Sequence, residues 1–194
     1  MSIEARHDGP VLLHLARNSI ESAFGAPPAA APDAAWLLEP GACFVTLTQG
    51  GELRGCIGTL EPHRPLLEDV RANARAAAFE DPRFPALRAQ ELRRTEVEVS
   101  LLSPMAPLPA ADEADALAQL RPQVDGLVLH YGPYRSTFLP QVWEQLPEPD
   151  RFLAHLKRKA GLPADFWAAE LRLYRYTVSK WRESELRAEE ASHA

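Results

Sequence analysis

The stretch GGELRGCIGTL, residues 50–60, sets Arg54, Gly55, Cys56 and Gly58 inside a run otherwise patterned as a β-strand. A glycine within a strand costs roughly 0.5–1 kcal/mol relative to alanine, so Gly55 and Gly58 weaken the element unless something requires bare backbone there. The preceding ACFVTLT, residues 42–48, pairs with it as a hairpin across Gln49, Gly50 and Gly51. Two registers are open. A three-residue turn sets Thr48 opposite Glu52 and groups Cys43, Val45 and Leu47 with Leu53, Gly55 and Ile57 on one apolar face. Phe44, Thr46 and Thr48 then lie beside Arg54, Cys56 and Gly58 on the other. A two-residue Gly-Gly turn instead sets Leu47 across from Arg54 and Val45 across from Cys56, mixing the two characters. The pattern favours the first register, with Cys43 in the core and Cys56 on a polar surface or cleft. There Arg54, two residues away, favours the thiolate and makes Cys56 a candidate nucleophile. The plainer reading is a small apolar filler beside a surface ion-pair partner. Gly55 and Gly58 fit either another backbone packed close or a ligand in contact.

Working outward, Pro10 opens a helix with Leu13, Ala16, Ile20 and Ala23 on one face, ending near Gly25. Residues 25–35 form a Pro/Ala loop. After Pro65 a second helix carries Leu67, Val70, Ala74 and Ala77 and stops at Asp81 and Pro82. TEVEVSLLSP, residues 95–104, alternates, with Val97, Val99 and Leu101 inward and Glu96, Glu98 and Ser100 outward. A Pro-rich link and a short alanine-rich helix lead to a second hairpin, DGLVLHYGPYRSTFLP, turning at Gly132 and Pro133. PDRFLAHLKRKAGLP reads as a helix with Asp150 as N-cap and Phe152, Leu153 and Leu156 as its buried stripe. LRLYRYTVSKW is a last strand, and the polar tail from Arg182 is expected to fray.

The 194 residues suffice for one core, or one core with a small lobe, so the chain reads as a single domain of residues 1–194 with its core at about 10–180. A net charge of −6 disfavours a general polyanion binder and makes DNA an unlikely partner class. Neither CxxC nor HExxH occurs, so no metal site is expected. The first residues lack secretory character, and no apolar run approaches the ~18 residues of a membrane span. A cytoplasmic protein is the expectation.

The series FVTLT, LRGCIGTL, DPRFPAL, EVEVSLLSP, DGLVLHYG, TFLPQVW and FLAHLKRKAGLP, in this order, resembles the AMMECR domain over about residues 10–180. The chain is most similar to the protein A type of the AmmeMemoRadiSam system. The resemblance implies an α+β fold of antiparallel sheets flanked by helices, with a larger and a smaller lobe and a cleft between them. It further implies that side chains of LRGCIG point into that cleft. The companions it implies are a Memo-like protein and a radical SAM enzyme; it implies no established reaction, and the cofactor is left unknown. The short EQLPEP at residues 144–149 departs from the longer aromatic link of many relatives.

Among other candidates, Glu98 would act as general base near Cys56 or orient Arg54, with Ser100 beside it as a binding group. Against this, both fit the solvated face of a half-buried strand. Arg83, in EDPRFP, would project to the cleft over Phe84, although two prolines fixing a stiff turn explain the motif structurally. His63 and His130 would each serve as a thiol's partner, but no spacing supports a triad. Seven arginines from Arg64 to Arg94 exceed the five local acids only by two, which describes a mixed charged face rather than an RNA patch. Trp143 reads as core. Two functions remain: a binding or accessory component, and a cysteine-dependent enzyme acting on a protein or modified RNA through Cys56 and Arg54.

Overall fold

The computed structural model describes residues 8–30 and 32–192; the reading of residues 1–7 as non-secretory lies outside them. It contains two four-stranded antiparallel sheets flanked by helices. They belong to two compact units, one running to Leu102 and resuming at Ser179, the other spanning Ser103–Val178.

In the first unit, α1 (Asp8–Ser22) and α2 (Leu66–Phe79) pack beside β1 (Cys43–Gln49), β2 (Glu52–Gly58), β3 (Thr95–Leu102) and β8 (Val178–Arg182). The sheet order is β2-β1-β3-β8. Leu12, Ala16 and Ile20 of α1 and Val70, Ala74 and Ala77 of α2 meet Val45, Leu47, Val97 and Val99 in one core. Apart from Leu12, these are apolar positions that alternation and helical spacing assign; Leu13 joins the same core, while Ala23 is exposed. A buried polar knot ties α2 to the start of β1. Asp69, 0% exposed, accepts from the Cys43 N–H at 2.9 Å, Arg64 Nε at 2.8 Å and the Thr59 hydroxyl at 2.5 Å. Asn73 bridges Asp69 and the Cys43 carbonyl. A buried carboxylate with this many donors is satisfied rather than stranded. Burial, with Asp69 alongside, pushes the Cys43 thiol far up, so this cysteine is an inert core residue.

In the second unit the order is β4-β7-β5-β6, from β4 (Ala106–Leu108), β5 (Gly126–Tyr131), β6 (Tyr134–Phe138) and β7 (Arg172–Tyr176). Its helices are α3 (Glu113–Gln119) and α4 (Pro149–Lys159). Leu127, Leu129 and Leu173 pack with Phe152, Leu153 and Leu156. Trp143 is fully buried, stacked on Phe152 at 3.7 Å, and donates through Nε1 to the Asp125 carbonyl at 2.7 Å.

Three expectations change. The single last strand is two, β7 and β8, lying in different sheets. At the break, the Thr177 N–H and carbonyl are bound by Ser103 Oγ and N–H instead of a ladder. The polar tail forms α5 (Glu183–Ser192). Its first residue is anchored, because the Glu183 carboxylate accepts from Arg17 and from the Val97 N–H. Glu148, not Asp150, is the cap residue of α4, with Pro149 at the first helical position, where proline's missing N–H costs nothing.

Candidate functional site

Gly50 and Gly51 have φ of +58° and +86°, and Gln49 pairs with Glu52. Two successive residues at positive φ make the type I′ turn whose twist suits a tight hairpin. The turn is thus two residues, not three. Its register lasts only to Thr48 opposite Leu53; beyond a shift, Leu47 meets Gly55, Thr46 meets Cys56, Val45 meets Ile57 and Phe44 meets Gly58. Arg54 is the extra residue of a β-bulge. The bulge restores the apolar face expected for Val45, Leu47, Gly55 and Ile57, while Leu53 leaves it and stands 42% exposed.

Arg54 therefore drops out of strict alternation with Cys56. It is buried, 9% exposed, and its Nε and Nη2 donate to Glu91 at 3.3 and 3.4 Å. Glu91 also accepts from the Arg88 N–H at 2.9 Å and Gln49 Nε2 at 3.2 Å. Burial pushes its carboxyl up, but Arg54 and the other donors outweigh that and hold it at about 2. The expected polar face shared by Arg54 and Cys56 is corrected: the guanidinium belongs to a buried ion pair.

Cys56 is half-buried and a free thiol, with the Thr46 hydroxyl donating to Sγ at 3.3 Å. Because β2 is an edge strand, the backbone of Cys56 would face outward unpaired. Instead its N–H donates to Asp81 Oδ2 at 2.8 Å, and Arg83 Nη2 donates to its carbonyl at 3.2 Å. Arg83 also grips Asp81 with Nε at 2.9 Å and Nη2 at 2.7 Å. EDPRFP is thus a clamp on the strand edge, which the stiff-turn reading had only in part. Hydrogen bonding from Arg83, against burial, holds the Asp81 carboxyl well below the usual range. Asp81 in turn raises the Arg83 guanidinium, and Cys56 adds a smaller electrostatic share. Arg83 is thus the cation bonded to the Cys56 backbone, through its carbonyl.

The bare backbone at Gly55 and Gly58 has its reason inside the protein. A Cβ on Gly55 would lie 2.1 Å from the Ala77 carbonyl oxygen of α2, and one on Gly58 would lie 2.3 Å from the Phe44 ring. Glu98 faces Thr46 across β1 and β3, so Cys56, Thr46 and Glu98 form one row, with the outer two about 9.6 Å apart by strand spacing. Arg182 Nε engages Glu98 at 2.5 Å. Ser100 pairs with Phe44 and is buried rather than outward-exposed. His63 is exposed, its Nδ1 3.2 Å from the Glu61 carbonyl. His130 lies in the second unit, tilted against Tyr174. Among the described residues, no three His, Cys, Asp or Glu side chains group to hold a metal ion. None of the described helices is long and apolar enough to cross a membrane.

Glu91, Asp81 and Asp69 are the carboxylates that a residue-by-residue reading passed over. A signal existed for Glu91: an arginine inside a half-buried strand needs an acid, and Glu91 is the last acid before β3.

The model of the AMMECR1 family matches residues 13–181. Protein MJ0810 of Methanocaldococcus jannaschii is 41% identical over 151 residues, covering 76% of this chain and 75% of its own length. An Aeropyrum pernix protein is 40% identical over 188 residues, covering 93% of this chain and 80% of its own. The crystal structure of the uncharacterized protein PH0010 from Pyrococcus horikoshii superimposes with a TM-score of 0.73 at 32% identity. That match covers 90% of this chain and 91% of the other. The family model over most of the chain, the identity with these relatives and the shared fold thus lead to one conclusion: the chain belongs to the AMMECR1 family.

Proposed function

We propose that this protein is a non-catalytic binding component of the cytoplasm that presents the β2 surface around Cys56 to a companion. The companions in view are a Memo-like protein and a radical SAM enzyme. One observation carries the reading: the carboxylates around the thiol are already engaged. Asp81 holds Arg83 and the Cys56 N–H, Glu98 holds Arg182, and Glu91 holds Arg54. A thiol nucleophile needs a base within hydrogen-bond reach, and the partner of this Sγ is a threonine hydroxyl. Exposed Leu53 and the Arg83 side chain, 53% exposed, supply instead what a docking surface uses: an apolar contact and a cation.

The test is sedimentation velocity of the full chain mixed with each purified companion. A complex is expected, weakened about tenfold by Leu53→Asp, which removes an exposed contact without touching the core. Absence of association with either companion at tens of micromolar overturns the reading. The second reading, a cysteine-dependent enzyme working on a protein or modified RNA through Cys56 and Arg54, draws support from Arg83, bonded to the Cys56 carbonyl. Rapid alkylation of Cys56 near neutral pH, together with a turnover lost in Cys56→Ser, would establish it over the first.

A further inference from the structure

A second surface lies at the start of β3, where α1, α5 and the turn before β3 line an open pocket of about 350 Å³. Its walls carry both charges, so its preference depends on which groups still have free valence. Of its arginines, Arg17 is fully occupied, donating to Glu183 and to the carbonyls of Leu92 and Thr95. Arg94 touches only Glu91, at 3.6 Å, and is 68% exposed at its side chain. Arg93 and Arg187 are exposed, and neither has a side-chain hydrogen-bond partner among the described residues. The carboxylates show the reverse. Glu183 accepts from Arg17 and the Val97 N–H, and Glu96 accepts from the Ser184 N–H at 3.0 Å. Of these carboxylates, Glu21 is the one with no side-chain hydrogen-bond donor among the described residues. The unspent capacity is therefore two unpartnered guanidinium forks and a third held loosely by Glu91, against the open Glu21 and the part-filled Glu96, a balance that favours an anion.

We infer that this pocket binds a small phosphorylated molecule, with Arg93, Arg94 and Arg187 on the phosphoryl oxygens and Glu21 accepting from a hydroxyl or amino group of the same ligand. Guanidinium forks match phosphoryl oxygens in pairs, and three of them suit a multiply charged group better than a monocarboxylate. The volume lies at the lower end of small-molecule pockets, roughly 300–1,000 Å³. Glu21 and Glu96 on the wall, and the net charge of −6, oppose an extended nucleic-acid backbone. The run of arginines that sequence alone reads as a mixed face thus divides: Arg64 and Arg83 are locked into carboxylates, Arg94 is held loosely by Glu91, and Arg93 is available.

The test is calorimetric titration of the full chain with pyrophosphate, alongside inorganic phosphate and a single-stranded RNA 20-mer. Saturable one-site pyrophosphate binding is expected, weakened about tenfold in Arg93→Ala/Arg94→Ala and several-fold in Arg187→Ala. Glu21→Gln should tighten pyrophosphate, which lacks the group that Glu21 would receive. These side chains are exposed, so thermal midpoints should stay within a degree or two; a larger drop is answered by Arg93→Lys/Arg94→Lys, which keeps the charge and loses the fork. No binding at millimolar pyrophosphate, or binding indifferent to all the arginine variants, overturns the inference. So does tighter binding of the RNA through the same arginines.

Discussion

The β1–β2 and β5–β6 hairpins both turn in two residues, yet only the first changes register along its length. In β5–β6, Gly132 has φ of +53° ahead of Pro133, the glycine-first arrangement of a type II′ turn. Tyr131 pairs with Tyr134, and the same register continues to Leu127 opposite Phe138. That register already puts Leu127 and Leu129 into the core. In β1–β2 the Gly50–Gly51 turn would set Val45 opposite Cys56, and the bulge at Arg54 puts Val45 opposite Ile57 instead. A bulge reconciles a tight turn with a buried face when the two demand opposite parity. It also leaves one residue outside the ladder, and in this chain that residue is an arginine needing a buried acid.

The comparison breaks most severely at Gly55. The strand after the bulge lies so close to α2 that an added Cβ meets the Ala77 carbonyl oxygen at 2.1 Å, and helix backbone cannot rotate aside. Gly55→Ala should destabilise by about 3 kcal/mol, the upper part of the overpacking range, read as a lowered urea midpoint. A loss under about 1 kcal/mol would mean that α2 does not fix β2 there.

Next comes the ion pair. Arg54→Met leaves Glu91 buried with its backbone and glutamine donors but without its principal cation, and should cost about 2–3 kcal/mol, somewhat less than breaking a wholly isolated pair. Arg54→Met with Glu91→Gln should recover at least half, because the uncompensated charge is gone. If the double variant is as unstable as the single one, Arg54 serves the bulge by shape and not by charge.

These residues also mark how far the sequence was legible. Alternation gave the faces of β1 and β3, and the Gly-Pro turn gave the second hairpin's register, because each of those signals is local. The first hairpin carried two local signals that disagree, Gly-Gly for the turn and Val45, Leu47 and Ile57 for the face. Choosing one hid the bulge that satisfies both. The Arg54–Glu91 pair and the Asp81 clamp join residues 37 and 25 positions apart, a distance that no periodicity spans. The break between β7 and β8 was hidden because LYRY and VSKW are each plausible strand, and only the sheets they join separate them.

A smaller effect appears with acid. Glu91 titrates in the unfolded chain near 4.3 and in the folded one at about 2. A depressed carboxyl stabilises fully above the unfolded value, and that contribution is lost as pH falls from about 4.3 toward 2. Asp81 is shifted in the same direction. Glu91→Gln should therefore lose less of its urea midpoint between pH 5 and pH 3 than the parent does. An equal loss would assign the acid sensitivity to the edge clamp, and the same titration of Asp81→Asn would then show the flattening.

The smallest effects lie at the two turns and sharpen the comparison most finely. Nothing lies within 4 Å of a Cβ at Gly50 or Gly132, so substitution there tests backbone conformation and not packing. Gly132→Ala should cost about 1 kcal/mol, since alanine in the left-handed region is strained by roughly that amount. Gly50→Asn should cost only a few tenths, because asparagine tolerates that region and favours type I′ turns. If Gly50→Asn is instead as costly as Gly132→Ala, the first turn has no slack to give, and strain at the tip is being transmitted along two residue pairs to the bulge. The turn and the bulge would then act as one unit, and Arg54 would owe its buried position to the glycines at the tip as much as to Glu91.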